Sequence, residues 1–276
     1  MPGESRVGVV NEAFPAIAEA EASGEIADLF ADIRSVVGVR VVNLVWRHLA
    51  TFEGALPWAW EAVRPLYVAG LPDEAARRFR RTMEVPKIAS LAGAQPAALE
   101  AVLASYDHSN TINLFALGAL AAKLRGEAAG EGTAPGGKRL EAPDVALPEL
   151  TSQKDVGPQT WARVLRLNQL ADRREPLILA SMYRHLAHWP RFLEQIEAAL
   201  APLQADGSLG RSVEANKAAA WQQSRVIARA IEARNPESVL ALRIERGVGT
   251  FVDQAIGKMV TICRAIRAAR GVPLSS

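Results

Sequence analysis

Cysteine is almost absent from this chain: Cys263 is the only one among 276 residues. That excludes an internal disulfide, a Cys-x-x-Cys redox pair and a cysteine-based zinc site. A reducing compartment suits such a chain, and a cytoplasmic location is expected. The first twenty residues carry Glu4, Arg6, Asn11 and Glu12 with no apolar stretch long enough for a secretory signal. Long hydrophobic runs are also missing. The longest, Ile112 to Ala122, is broken by Asn113 and closed by Lys123, short of the roughly 20 residues a bilayer needs. It reads as a buried helix, and no membrane partner is expected. Charge of one sign is lacking too, because 32 basic side chains face 30 acidic ones, which gives no global case for nucleic acid. The densest basic cluster, Arg77, Arg78, Arg80 and Arg81, reads as a solvated helix face. Histidines number four. His185 and His188, three apart, have no third ligand at a suggestive spacing and no Glu of a zinc-protease motif, so no metal is expected. Neither a Gly-rich phosphate loop nor a serine-hydrolase elbow occurs.

What is present is an ordinary globular composition, 49% hydrophobic and 22% charged, with ample material for a core. Its most informative feature is a repeat. Arg47-His48-Leu49-Ala50 returns as Arg184-His185-Leu186-Ala187, almost half a chain later. Trp46 and Tyr183 precede the two copies, Phe52 and Trp189 follow them, and Pro65-Leu66 recurs as Pro202-Leu203 at the same offset. Matched aromatics and an ungapped Pro-Leu argue for an internal duplication, with a site between the halves.

Local patterning reads as all-helical. Ile26, Leu29, Phe30, Ile33 and Val37 recur at three- and four-residue steps, and Gly38 follows where a helix takes a left-handed stop. Val39 to Trp46 is rich in β-branched residues, but its repeat partner, Leu177 to Tyr183, favours helix, so helix is expected in both. Pro57, Pro96, Pro190 and Pro236 stand at helix starts. After Pro190, an apolar stripe of Phe192, Leu193, Ile196, Leu200 and Leu203 excludes Glu194, Gln195 and Glu197. The resulting organisation is a first helical repeat over 1–125, a Gly/Ala/Pro-rich linker over 126–158 and a second repeat over 159–276. The Gly-rich part of the linker, Gly130 to Gly137, is expected to be exposed and mobile.

Three segments, in order and on both sides of the linker, carry a resemblance. Arg47-His48-Leu49-Ala50-Thr51-Phe52 with Gly54 and Leu56-Pro57-Trp58-Ala59-Trp60, the Asn110 to Leu120 helix, and Ala180-Ser181-Met182-Tyr183 with Leu186-Ala187-His188-Trp189-Pro190 together resemble the group I 2-haloacid dehalogenases. The resemblance implies two tandem helical repeats related to the alkylhydroperoxidase-like proteins, forming a pseudo-dimer around a buried site, and a homodimer. It also implies an aspartate that activates water for direct attack at C2 of a 2-haloalkanoate, displacing halide with inversion and accepting both enantiomers, without metal, cofactor or covalent intermediate. Met182 stands at that aspartate's position, and a thioether has no useful basicity. Ser181 and Asn110 match the family's site serine and asparagine. Val41 and Leu44 replace the aromatic side chains that line the family's halide region, and Tyr183 completes the candidate lining.

Duller roles suit the same residues. Asn110 would cap the helix through Leu114, Leu117 and Leu120. Ser181 would bond back to a carbonyl one turn earlier. Met182, Tyr183 and Trp46 would fill the core, and Arg47 and Arg184 would make structural contacts. Asp172, Glu175, Asp107 and Asp253 are the carboxylates that could replace the missing base. Three functions follow: a protein that binds a small carboxylic acid or other small apolar molecule, with dehalogenation lost or strongly weakened; an active dehalogenase or related hydrolase with a relocated carboxylate; or an oligomeric scaffold whose site is filled by its own side chains.

Overall fold

The computed structural model describes residues 14–91, 93, 96–130, 134–141, 143, 145–172 and 178–272. Among them every regular element is helical: α1 Gly24–Val37, α2 Leu44–Leu49, α3 Ala55–Val68, α4 Leu71–Thr82, α5 Ala97–Leu124, α6 Pro158–Asn168, α7 Ser181–Leu186, α8 Pro190–Ala205, α9 Ser208–Ile227, α10 Ser238–Thr250 and α11 Gly257–Ala269. A π-helical turn, Phe251–Ile256, joins the last two.

Apolar spacing and stop signals account for most of the boundaries. Phe30, Ile33, Val36 and Val37 bury one face of α1, and Gly38 ends it at φ 73°, a conformation that costs glycine nothing. Phe192, Leu193, Ile196 and Leu200 bury the stripe of α8, which begins at Pro190, while Leu203 is half-buried. Helix was expected throughout Val39 to Trp46 and its partner. Instead α2 starts only at Leu44 and α7 only at Ser181, and the β-branched residues before Leu44 are non-helical. The two short helices nevertheless keep the offset of the sequence repeat at both ends, and each buries its second, third, fifth and sixth residues. Gly70 and Gly207, separated by the same offset, start α4 and α9 at φ 67° and 74°.

Two hydrophobic cores result, and long helices pass through both. Leu99, Val102 and Leu103 of α5 belong to the second core, with α6, α7 and α8, whereas the apolar residues from Ile112 to Ala122 belong to the first, with α1, α3 and α4. The last segment does the reverse: Ile244 and Val248 of α10 enter the first core, and Met259, Ile262, Cys263 and Ile266 of α11 the second. Residues 107–122 of α5 are buried without interruption, as a helix surrounded by others must be. The middle of α5 and the π turn therefore both lie where the cores meet.

A buried ion cluster holds α5 to α11. Asp107 Oδ2 accepts from Arg267 at 2.7 Å and Arg264 at 3.0 Å, and Arg80 of α4 lies 3.4 Å away. Arg80 thus departs from the solvated face expected of the basic cluster, because its guanidinium is drawn inward by this carboxylate. The described linker residues are mostly exposed, as expected, but several of them are tied to neighbouring helices. Gly137 N–H donates to Ala69, the Leu140 N–H donates to Asp73, and Arg225 and Arg229 donate to the carbonyls of Glu127 and Gly130, so these residues are strapped to α4 and α9 rather than free.

Candidate active site

A cavity of about 50 Å³ lies between the cores. A water needs on the order of 10–15 Å³ by the same measure, so the space suits a molecule of a few heavy atoms. Its walls come in corresponding pairs. Asn43, Leu44 and Val45 at the start of α2 face their repeat partners Ala180, Ser181 and Met182 at the start of α7; Tyr106 and Asn110 of α5 face Phe251 and Ala255, which are as far from each other along the chain as Tyr106 is from Asn110. Tyr106 stacks 5.6 Å from His185, and Phe251 stacks 5.6 Å from His48, centroid to centroid. In four of these pairs one member is polar and the other apolar: Asn43 against Ala180, Ser181 against Leu44, Tyr106 against Phe251, Asn110 against Ala255. Ile178, Leu179, Ile256 and Met259 complete the lining, which holds no charged side chain among the described residues.

The polar groups differ in freedom. Asn43 is held from behind: Asn113 Nδ2 donates to its Oδ1 at 3.0 Å, and Tyr67 in turn donates to Asn113 at 2.5 Å. Asn110 is buried, and among the described residues no group hydrogen-bonds its amide. That amide is available to a bound molecule. Tyr106 hydrogen-bonds His185 Nδ1 at 2.8 Å, and Ser181 lines the same cavity. Burial raises the Tyr106 phenol well above its ordinary range. His185 is pushed down to about 4, first by burial and then by the neighbouring His188, against the hydrogen bond that Pro148 accepts.

Of the residues expected here, Leu44, Asn110, Ser181 and Met182 come together around the cavity. Val41 and Tyr183 do not. Val41 is 40% exposed in the segment before α2, and Tyr183 lies in the second core with its hydroxyl unpartnered, because adjacent helical residues point about 100° apart and Met182 takes the cavity side. Asn110 is no cap, since α5 begins more than three turns earlier at Ala97. Ser181 opens α7, so no helical carbonyl lies one turn before it. Arg47 and Arg184 act as structural ties, donating from Nε to the carbonyls of Ile17 and Thr151.

Asn43, Tyr106 and Phe251 were not anticipated. Tyr106 was within reach, one helical turn before Asn110. Among the candidate carboxylates, Asp107 is turned into the arginine cluster, Asp253 pairs with Lys217 at 2.5 Å, and Asp172 lies outside the lining. Glu175 is outside the described residues. His185 and His188 are occupied separately, the latter by the Glu149 carbonyl at 2.8 Å. Among the described residues no group of three or more potential ligands could hold a metal ion, and no helix is long and apolar enough to cross a membrane.

This is an all-α fold with a small uncharged cavity at the junction of two cores, and the solved structures that share it include 2-haloacid dehalogenases. A D-2-haloacid dehalogenase mutant in complex with D-2-CPA superposes with a TM-score of 0.69 at 16% identity, over 94% of this chain and 97% of that one. A D-2-haloacid dehalogenase with L-LA gives 0.69 at 17% identity over the same shares. No family model matches the sequence. Its homologues include a configuration-inverting 2-haloacid dehalogenase of Pseudomonas sp. (strain 113), 29% identical over 201 residues. Another, of Alcaligenes xylosoxydans xylosoxydans, is 26% identical over 209 residues, 69% of each chain. The first match covers 66% of this chain and 64% of that relative, slightly under two thirds of its length.

Proposed function

We propose that this protein is a diverged 2-haloacid dehalogenase built of two tandem repeats, whose cavity binds a small 2-haloalkanoate-like acid and whose hydrolytic dehalogenation is lost or strongly weakened. The observation that carries this reading is the lining itself. Met182 occupies the cavity where the resemblance implies a water-activating aspartate, and none of the described carboxylates lines the space. Water is a poor nucleophile at a carbon bearing halogen unless a base removes its proton, a contribution of about 10²- to 10⁴-fold. The substrate-holding groups are Asn110, Ser181 and Asn43, all neutral donors suited to a carboxylate oxygen or a water. A filled scaffold accords poorly with the open cavity, and an active enzyme with a relocated carboxylate would need one outside the described residues.

Two measurements test this. Calorimetric titration with each enantiomer of 2-chloropropanoate should show saturable binding to the purified protein. Halide release should be feeble in the natural protein and rise in Met182→Asp; turnover by the natural protein at full enzymatic rates would overturn the loss, and absence of binding would overturn the pocket. The homodimer implied by the resemblance is checked by light scattering on the eluting protein.

A further inference from the structure

We infer that Tyr106, backed by His185, is the proton acceptor for whatever hydrolysis this cavity still performs; the inference rests on the pocket binding a 2-haloacid. The corresponding positions make the case. Tyr106 against His185 and Phe251 against His48 have the same 5.6 Å ring separation, so packing alone is satisfied by either aromatic. Of the two, Tyr106 alone carries a hydroxyl; the residue lines the cavity, and its hydroxyl lies 2.8 Å from His185 Nδ1. His48 differs in the same sense: its Nδ1 is taken by the Pro15 carbonyl at 2.7 Å, whereas His185 Nδ1 faces the hydroxyl of a cavity-lining residue. An exchangeable proton path therefore leads from the cavity wall through Tyr106 to a nitrogen base.

The step balances without a cofactor. Water oxygen bonds to C2 as the carbon–halogen bond breaks and halide leaves with the bonding pair. The water proton passes to the Tyr106 oxygen while the phenol proton moves to His185 Nδ1. The products are the 2-hydroxy acid, halide and an imidazolium, which later returns its proton to solvent through the same phenol. Tyr106 touches the reacting water and is the catalytic residue; His185 acts through it and is a positioning residue that also stores the proton. Because the buried imidazole is hard to protonate, this route is slow compared with a carboxylate.

The experiment follows halide release and 2-chloropropanoate binding in the natural protein, Tyr106→Phe and His185→Gln, each also in the Met182→Asp background. Glutamine offers Tyr106 an amide partner but cannot take a proton. Both variants should lower the residual kcat about tenfold or more, within the range of general-base effects, while the dissociation constant stays within about threefold. In the Met182→Asp background, where a carboxylate takes over, the same variants should change kcat by less than about threefold. Equal losses in both backgrounds would mark a structural role and overturn the relay. So would undiminished turnover in Tyr106→Phe, or binding without any halide release in the natural protein; a natural protein that binds no 2-haloacid would overturn the pocket and the relay together.

Discussion

Introducing aspartate at Met182 should cost stability in a way that reports on the cavity. Met182 is 1% exposed, and removing most of a buried methionine side chain costs about 2–5 kcal/mol in comparable cores. The second position of α7 favours a negative charge by about 0.3–1 kcal/mol, and Ser181 and Tyr106 can donate to it, so the net loss at neutral pH should be about 2–4 kcal/mol. Burial raises a carboxyl pKa. A carboxyl that holds its proton more tightly when folded is a burden above its folded pKa and is relieved as pH falls towards the unfolded value. Urea denaturation of Met182→Asp beside the natural protein should therefore show a deficit that narrows between pH 7 and pH 5. Two results would place the new carboxylate in solvent or against a cation and refute the cavity-facing assignment of residue 182. One is a deficit no larger than the roughly 0.5 kcal/mol usual for a surface substitution. The other is a deficit that widens on acidification.

Other parts of the structure are as testable. Asp107→Asn removes the buried charge shared by Arg264 and Arg267, at 3.0 and 2.7 Å from the carboxylate, of which Arg267 keeps Glu100 at 3.1 Å, and should destabilise by about 2–4 kcal/mol in chemical denaturation. Gly70→Ala would drive its Cβ into the Gly137 backbone, while at Gly207 a Cβ meets only the movable Arg211 guanidinium at 3.2 Å; Gly207→Ala should cost about 1–2 kcal/mol for the left-handed conformation and Gly70→Ala clearly more, as melting temperatures will show. His185, lowered from 6.5 to about 4 by burial, binds its proton more weakly folded than unfolded. Its contribution is complete above pH 6.5 and is lost as pH falls towards 4, about 3 kcal/mol in all. His48 and His108, lowered chiefly by burial, add to that slope. His185→Gln should flatten it in pH-dependent denaturation.

The sequence showed more of the site than of the path to it. One constant offset relates α2 to α7 at both ends and matches Gly70 to Gly207, because side chains at a packed helix pair constrain spacing tightly. The same offset fails at the far wall, where Tyr106 corresponds to Phe251 several residues later than it predicts; the extra residues precede the π turn, which begins at Phe251. Periodicity found the buried face of α1 but could not separate Met182 from Tyr183, since both are buried in the same helix, and only the direction of each decides which meets the cavity. Asn110 read as a cap because polar residues inside a helix usually mark an end; here Asp107 through Asn113 are polar at every position but Ile112 and entirely buried, most of them hydrogen-bonded and Asn110 facing the cavity.

The pairing of the cavity walls bears on how function was redistributed. A site placed between corresponding segments begins with two equivalent faces, and no symmetric lining can give a water and a carboxylate different surroundings. In the four pairs Tyr106, Asn110 and Ser181 stand against Phe251, Ala255 and Leu44, while Asn43 against Ala180 reverses the sense, so a molecule held there as proposed would meet most of its polar partners on one side. That polarity would orient an acid with its carboxylate towards Asn110 and its halogen-bearing carbon nearer Met182. On the proposed reading the missing element is a strong base at position 182, which is why Met182→Asp and Tyr106→Phe, both in the cavity wall, should affect each other.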